Sequence, residues 1–388
     1  MLTYSAPDWR LYDLSSKELA NFQGRFPILS PDGKHVLTDS DDGIRLYDLN
    51  RKELANFLGS DPRFSPDGKH VLTFSTAGWR LYDLRGKELA KLQRSNPRFS
   101  PNGKQVLTDS GDGSWLYDLN GKELANFPGR FLSFSPDGKH VLTVSADGSQ
   151  LYDLRGKELA NFPGRYPRFS PDGKHVLTFS TAGWRLYDLR GKELAKLQRS
   201  NPRFSPNGKQ VLTDSGDGSW LYDLNGKELA NFPGRFLSFS PDGKHVLTVS
   251  ADGSQLYDLR GKELANFPGR YPRFSPDGRW ILTTAPTEDI SRIYDRQGNL
   301  LAEFVGSTFT NNGAYRRLSL GFTQDGKQLL TLTNDGTLRA WQIDRNLEQD
   351  KGMNDLLTRG CTWLKDYLTS HPEELKKLPV CQEIYRQP

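Results

Sequence analysis

Residues 62–96 read PRFSPDGKHVLTFSTAGWRLYDLRGKELAKLQRSN, and most of the chain is a variation on this stretch. Arg63 to Ser65 has the composition of a short strand A, closed by the turn Pro66-Asp67-Gly68. His70 to Ser75 alternates as strand B, with Val71 and Thr73 set against Leu72 and Phe74. The Ala77-Gly78 turn leads into strand C, Trp79 to Leu84. Arg85-Gly86 then turns into strand D, Glu88 to Leu92, and a short connection returns to the next strand A. Four such strands joined by tight turns make one up-and-down sheet. A sheet this small cannot bury both of its faces without neighbours.

The neighbours are copies of the same unit. LYDL begins at Leu11, Leu46, Leu81, Leu116, Leu151, Leu186, Leu221 and Leu256, and S-P-[DN]-G recurs from Ser30 to Ser275 with the same 35-residue spacing. Residues 62–166 and 167–271 are identical, so a block of three units is itself duplicated. Radial stacking of such sheets predicts an all-β fold, a β-propeller of four-stranded antiparallel blades. The composition agrees: 37 Gly and 23 Pro supply turns, and 8 Trp, 15 Tyr and 21 Phe suit strands rather than disorder. No apolar run is long enough for a membrane helix, and the first residues, MLTYSAPDWR, lack a leader pattern. A cytoplasmic protein without a membrane partner is therefore expected. With 2 Cys, neither a disulfide framework nor a four-thiolate zinc site organises the fold. The net charge of +5 specifies no partner class.

FSPDGK, then L-T-x-S-x-D-G, then [LI]-Y-D-L-x-G-K-E-L-A, in this order in nine successive units, resembles the tryptophan-aspartate (WD) repeat family of β-propellers over about residues 1–344. Tyr-Asp stands where that family usually ends strand C in Trp-Asp. The family's Gly-His pair between strands D and A is replaced by Gly24-Arg25, Gly129-Arg130, Gly164-Arg165, Gly234-Arg235 and Gly269-Arg270, in a shortened connection. The family's bond from that His to the turn Asp therefore does not transfer.

Nine strand A segments, the last at Leu318 to Thr323, together with a strand D at Glu18 to Phe22, predict about nine blades. The resemblance implies closure by sharing one blade between the termini, with Glu18 to Phe22 beside Leu338 to Ile343 and residues 1–14 left as a partial extra unit. The alternative is an open ring. Residues 1–345 form the expected propeller domain, and 346–388 a short α-helical C-terminal tail. In that tail Asn354 caps a helix with Leu357, Cys361, Leu364 and Leu368 on one face, and Ser370 with Glu373 opens a second helix through Leu378. The tail is similar to that of cyanobacterial WD-repeat proteins. Cys361 and Cys381 read as free thiols.

No set of residues breaks the period in the way a catalytic or metal site would. His35, His70, His140, His175 and His245 share one register and read as scaffold, and the Ser and Asp residues recur in the same manner. No enzyme activity, no metal and no cofactor is expected. Arginine is more informative. Arg25, Arg130, Arg165, Arg235 and Arg270 share one register, Arg63, Arg98, Arg168, Arg203 and Arg273 a second, and Arg94 and Arg199 flank the first. By the resemblance they line the upper rim. Arg25, Arg94, Arg130, Arg165, Arg199, Arg235 and Arg270 are the candidate partner-binding residues. The same rim receives the B-to-C turns, with Asp39, Asp41, Asp42, Asp109, Asp112, Asp147, Asp214, Asp217 and Asp252. Pairing of each rim Arg with the turn Asp of its own unit, Arg130 with Asp147 and Arg235 with Asp252, is therefore the preferred reading. Arg165 stands apart, because its turn is Thr181-Ala182-Gly183. The function expected from the resemblance is a monomeric, non-catalytic scaffold or ligand-sensing propeller binding a protein or peptide; the alternative is an anion-binding module for nucleic acid or a phospho-ligand on the arginine rim.

Overall fold

The computed structural model describes residues 2–343, apart from 6–7, 13–17, 24, 41, 51, 112, 198–199, 216–217, 251–252, 286–288, 307, 309–320, 324–325 and 333–337. The described chain is all-β, with no helix among these residues. Eight four-stranded antiparallel sheets follow one another, beginning at Arg25, Ser60, Ser95, Arg130, Arg165, Ser200, Arg235 and Arg270, and each is named below by its first residue. In every one the strands lie side by side in chain order. The chain divides into two compact units, residues 1–213 with 222–227 and residues 214–221 with 228 onward, the division passing through the Ser200 sheet.

The Ser60 sheet consists of Ser60–Phe64, His70–Ser75, Gly78–Asp83 and Glu88–Leu92. Strands B and D match the sequence expectation. Strand A begins three residues earlier than Arg63, because Pro62 sits in a bulge rather than outside the strand: Ser60 opposes Phe74, Arg63 opposes Leu72, and the register shifts between them. Asp61, at φ 51°, supplies the left-handed residue of that bulge.

Alternation along strand B serves two interfaces at once. Val71 packs in the preceding sheet's core with Leu37, Ile44, Leu46 and Phe57, while Leu72 points the other way with Leu81, Leu92 and Val106 of the following sheet. Both are fully buried, so the strand reads as apolar on two faces. The Tyr of LYDL closes the same interface. Tyr82 meets Phe57 with ring centroids 5.2 Å apart, and Tyr152–Phe127, Tyr187–Phe162, Tyr257–Phe232 and Tyr294–Phe267 repeat the contact at 5.4–5.5 Å. The aromatic of the strand C motif is thus an inter-sheet packing residue.

The terminal sheets differ from expectation. Glu18–Gln23 pairs with Asp8–Tyr12, which pairs with Leu2–Ser5, giving a B-C-D triplet. Gly321–Phe322, Gln328–Leu332 and Leu338–Gln342 form an A-B-C triplet. Among the described residues these are separate three-stranded sheets, so the N-terminal strand D completes its own sheet rather than joining Leu338 to Ile343. The reason is local: residues 1–12 already supply strands B and C in the correct register, and a hairpin partner closes at a smaller entropic cost than a distant one. The proposed helices of the tail, Cys361, Cys381 and the boundary at residue 345 lie outside the described residues.

Candidate functional site

The two ends of each sheet are built by different chemistry. At the A-to-B and C-to-D end the motif side chains bond the backbone. Ser170 Oγ donates to Asp172 Oδ1 at 2.5 Å and accepts from the backbone N–H of His175 at 2.9 Å, and Asp172 Oδ1 also accepts from the N–H of Lys174. The Ser is fully buried in every four-stranded sheet except the first, where it is nearly so. Asn102 and Asn207 replace the Asp without changing the pattern. The Asp of LYDL closes the C-to-D turn: Asp188 Oδ1 accepts from the N–H groups of Arg190 and Lys192, both at 2.9 Å. Four of the register histidines lie near these turns, with His175 Nδ1 3.8 Å from Asp172 Oδ1. Asp172 is held below the usual carboxylate range even though burial pushes it up, because the Ser170 hydroxyl and the Lys174 N–H favour the charged form. These residues are turn scaffolding.

The D-to-A and B-to-C end carries the arginines. Its connections are two residues long between strands D and A, and hydroxyl groups hold their carbonyls. Thr178 Oγ1 donates to Pro163 O at 2.7 Å, Thr73 Oγ1 to Leu58 O at 2.6 Å, and Ser149 Oγ to Gly164 O at 2.8 Å. Sequence reasoning missed this role, although a hydroxyl recurring every 35 residues is its signal. Gly164, at φ +104°, has no room for a side chain: a Cβ there would stand 2.6 Å from Phe179 O.

The candidate arginines separate into distinct environments. Arg94 is consumed by the fold: its guanidinium lies 3.5 Å from the Trp115 ring centroid, and Nη1 donates to Tyr117 Oη at 2.6 Å and lies 3.7 Å from Glu123. In the second register, Arg63 and Arg168 stand over Trp79 and Trp184 at 4.7 and 5.7 Å, and Arg98, Arg203 and Arg273 are also engaged. Arg130, Arg165 and Arg235 each open a strand A and are exposed. Arg130 does not pair with Asp147 of its own unit. Among the described residues its one acidic neighbour is Asp109 of the preceding sheet, at 3.9 Å, and the Arg130 side chain is 74% exposed. The geometry explains the difference, since strand A is the first strand of its sheet and its opening residue faces backward across the sheet interface. Arg165 and Arg235 have no hydrogen-bond or ion-pair partner among the described residues; the expected partner of Arg235, Asp252, lies outside them. Arg25 and Arg270 open strands 25–29 and 270–274, and their side chains, like all of Arg199, lie outside the described residues.

Arg130 and Arg165, from successive sheets, line one open cleft of about 450 Å3 with Val144, Ser145, Ala146 and Tyr166. Tyr166 is 67% exposed and sits at φ 56°, a conformation that costs an aromatic residue more than the Asp61, Asn96 or Asn201 found at the equivalent position. Ser145 Oγ accepts from Gln150 Nε2 at 3.0 Å and from the N–H of Asp147 at 3.2 Å. Among the described residues no group of three or more His, Cys, Asp or Glu is placed to hold a metal ion.

No protein-family model matches the chain, and no curated protein is similar to it. Solved structures are. A eukaryotic initiation factor crystal structure aligns with a TM-score of 0.57 at 15% identity, covering 79% of this chain and 96% of its own. The chain has a β-propeller-like repeat fold. The four-stranded sheets are its blades. Dihydro-heme d1 dehydrogenase NirN in complex with DHE also aligns, covering 77% of this chain and 71% of its own at 20% identity, but its TM-score of 0.40 is too low to bear on function. No helix among the described residues is long and apolar enough to cross a membrane.

Proposed function

We propose that this chain is a non-catalytic interaction scaffold whose blades present a protein or peptide partner with the D-to-A and B-to-C end. One observation carries the reading. The residue types that could do chemistry recur in register and are committed to the backbone at the opposite end, as in Ser170, Asp172 and Asp188, whereas the arginine end leaves Arg165 and an exposed, strained Tyr166 uncommitted. A side chain kept in a costly conformation without a structural partner points to a use outside the fold. The resemblance to WD-repeat propellers, including those of cyanobacteria, agrees with this reading, although fold alone does not specify the ligand. The test is retention from the native cell extract on the immobilised full chain. A protein retained in near-stoichiometric amount, and released when Arg165 and Tyr166 are changed together, is the expected outcome; a co-purifying small molecule that the chain transforms, with no protein retained, would overturn it.

A further inference from the structure

We propose that the cleft between the Arg130 and Arg165 blades is a recognition site for a phosphate monoester on an aromatic stem, carried by a peptide. The inference rests on the scaffold reading and names what that surface would recognise. Four features of the cleft converge on this chemistry.

The first is charge. Arg165 has no partner among the described residues, and Arg130 has only the carboxylate of Asp109 at 3.9 Å, too long for a direct hydrogen bond. Two guanidinium groups with free donors match a dianionic group better than a single carboxylate, because each can offer a two-pronged donor to separate phosphate oxygens.

The second is a hydroxyl. Ser145 Oγ already accepts two hydrogen bonds, from Gln150 Nε2 and from the Asp147 N–H. Its own proton has no acceptor among the described residues, and the corresponding serines Ser40 and Ser75 spend theirs on the carbonyls of Gly43 and Gly78. Gln150, which is buried, holds Ser145 in this state. Elsewhere the Gln150 position is Arg80 or Trp115, so the arrangement is particular to this blade and its duplicate, where Gln255 Nε2 bonds Ser250.

The third is the apolar part. Val144 and Ala146 line the cleft, and the exposed ring of Tyr166 stands beside them, a surface for an aromatic stem rather than for a bare ion. The fourth is isolation. The neighbouring arginines Arg94, Arg63 and Arg168 are stacked on tryptophans. A nucleic acid needs a run of cations along its backbone. This site instead offers one compact pair.

Identity of residues 62–166 with 167–271 places the same residue set at Arg235, Ser250, Arg270 and Tyr271. The full chain is therefore expected to bind two peptides.

The experiment measures fluorescence anisotropy of a labelled decapeptide with one phosphotyrosine against the full chain. The unphosphorylated decapeptide, phenyl phosphate, inorganic phosphate and a 20-nucleotide single-stranded DNA serve as competitors. Saturable binding of two phosphopeptides per chain is expected, competed by phenyl phosphate better than by inorganic phosphate. R130Q/R165Q should lower the stoichiometry to one with unchanged melting temperature. Should that variant fold poorly, R165K, which keeps the charge but not the fork, should weaken its site severalfold. Y166N should raise the melting temperature by relieving the left-handed strain and also weaken binding. Equal affinity for the two decapeptides, an unchanged stoichiometry in R130Q/R165Q, or DNA as the strongest competitor would overturn the proposal. If no phosphopeptide binds while a protein is still retained from extract, the phosphate site falls and the scaffold reading stands. If neither binds, both fall.

Discussion

The Ser170-Pro171-Asp172-Gly173 turn and the Pro163-Gly164-Arg165-Tyr166 connection stand at opposite ends of one five-residue strand, Arg165–Phe169, and spend their polar atoms differently. At the turn, each motif side chain is bonded to backbone within the same loop. At the connection, the backbone is held from outside, by the Thr178 and Ser149 hydroxyls, and the side chains of Arg165 and Tyr166 have no hydrogen-bond or ion-pair partner among the described residues. The contrast shows how an amplified repeat can separate duties. The end that determines the turn is locked by self-contained bonds, and the end that can vary is anchored through its carbonyls, which leaves its side chains available.

Three substitutions probe that contrast, in descending order of effect, and a fourth concerns acid. Ser170→Ala removes a buried hydroxyl that accepts from His175 N–H and orders Asp172, so a loss of about 1–3 kcal/mol is expected in urea unfolding. A loss below about 0.5 kcal/mol would mean that the turn is determined by its Pro-Asp-Gly sequence alone. Arg94→Gln tests the arginine that the fold does use. Loss of the stack on Trp115 at 3.5 Å and of the bond to Tyr117 should cost about 1 kcal/mol. Arg165→Gln should stay within about 0.5 kcal/mol of the parent in the same measurement. Equal losses for Arg94 and Arg165 would erase the distinction between them.

The fourth substitution is Asp242→Asn. Burial pushes Asp242 up, but the Ser240 hydroxyl, the Lys244 N–H and the Arg296 charge outweigh it and bring its pKa from 3.8 down to about 2. A carboxyl with a depressed folded value contributes stability that is complete above its unfolded value and is lost as pH falls through the folded one, here a window from roughly pH 4 to pH 2. Asp242→Asn should therefore flatten that part of the acid unfolding curve and lower stability at pH 7 by an amount comparable to what the parent loses over that window, because Asn keeps the turn bonds seen at Asn102 and Asn207 but not the charge that faces Arg296. An acid limb identical to the parent's would place the sensitivity in other carboxylates.

Much of this was legible in the sequence. A 35-residue period with two turn motifs and alternating apolar residues determines four strands per unit, since local turn chemistry and side-chain alternation need no information from elsewhere in the chain. The register of His and Asp marked them as scaffold for the same reason. Tertiary structure decided what depends on which sheet lies next to which. Tyr82 is a packing residue because Phe57 of the neighbouring sheet meets it. Arg130 faces Asp109 and not Asp147, because an opening residue of strand A looks across the interface between sheets. Glu18–Gln23 completes its own triplet, where a repeated motif is equally compatible with either partner. When every unit carries the same motif, the sequence states what each strand is. It does not state which copy supplies the partner, because identical copies offer identical chemistry and only their positions in space distinguish them.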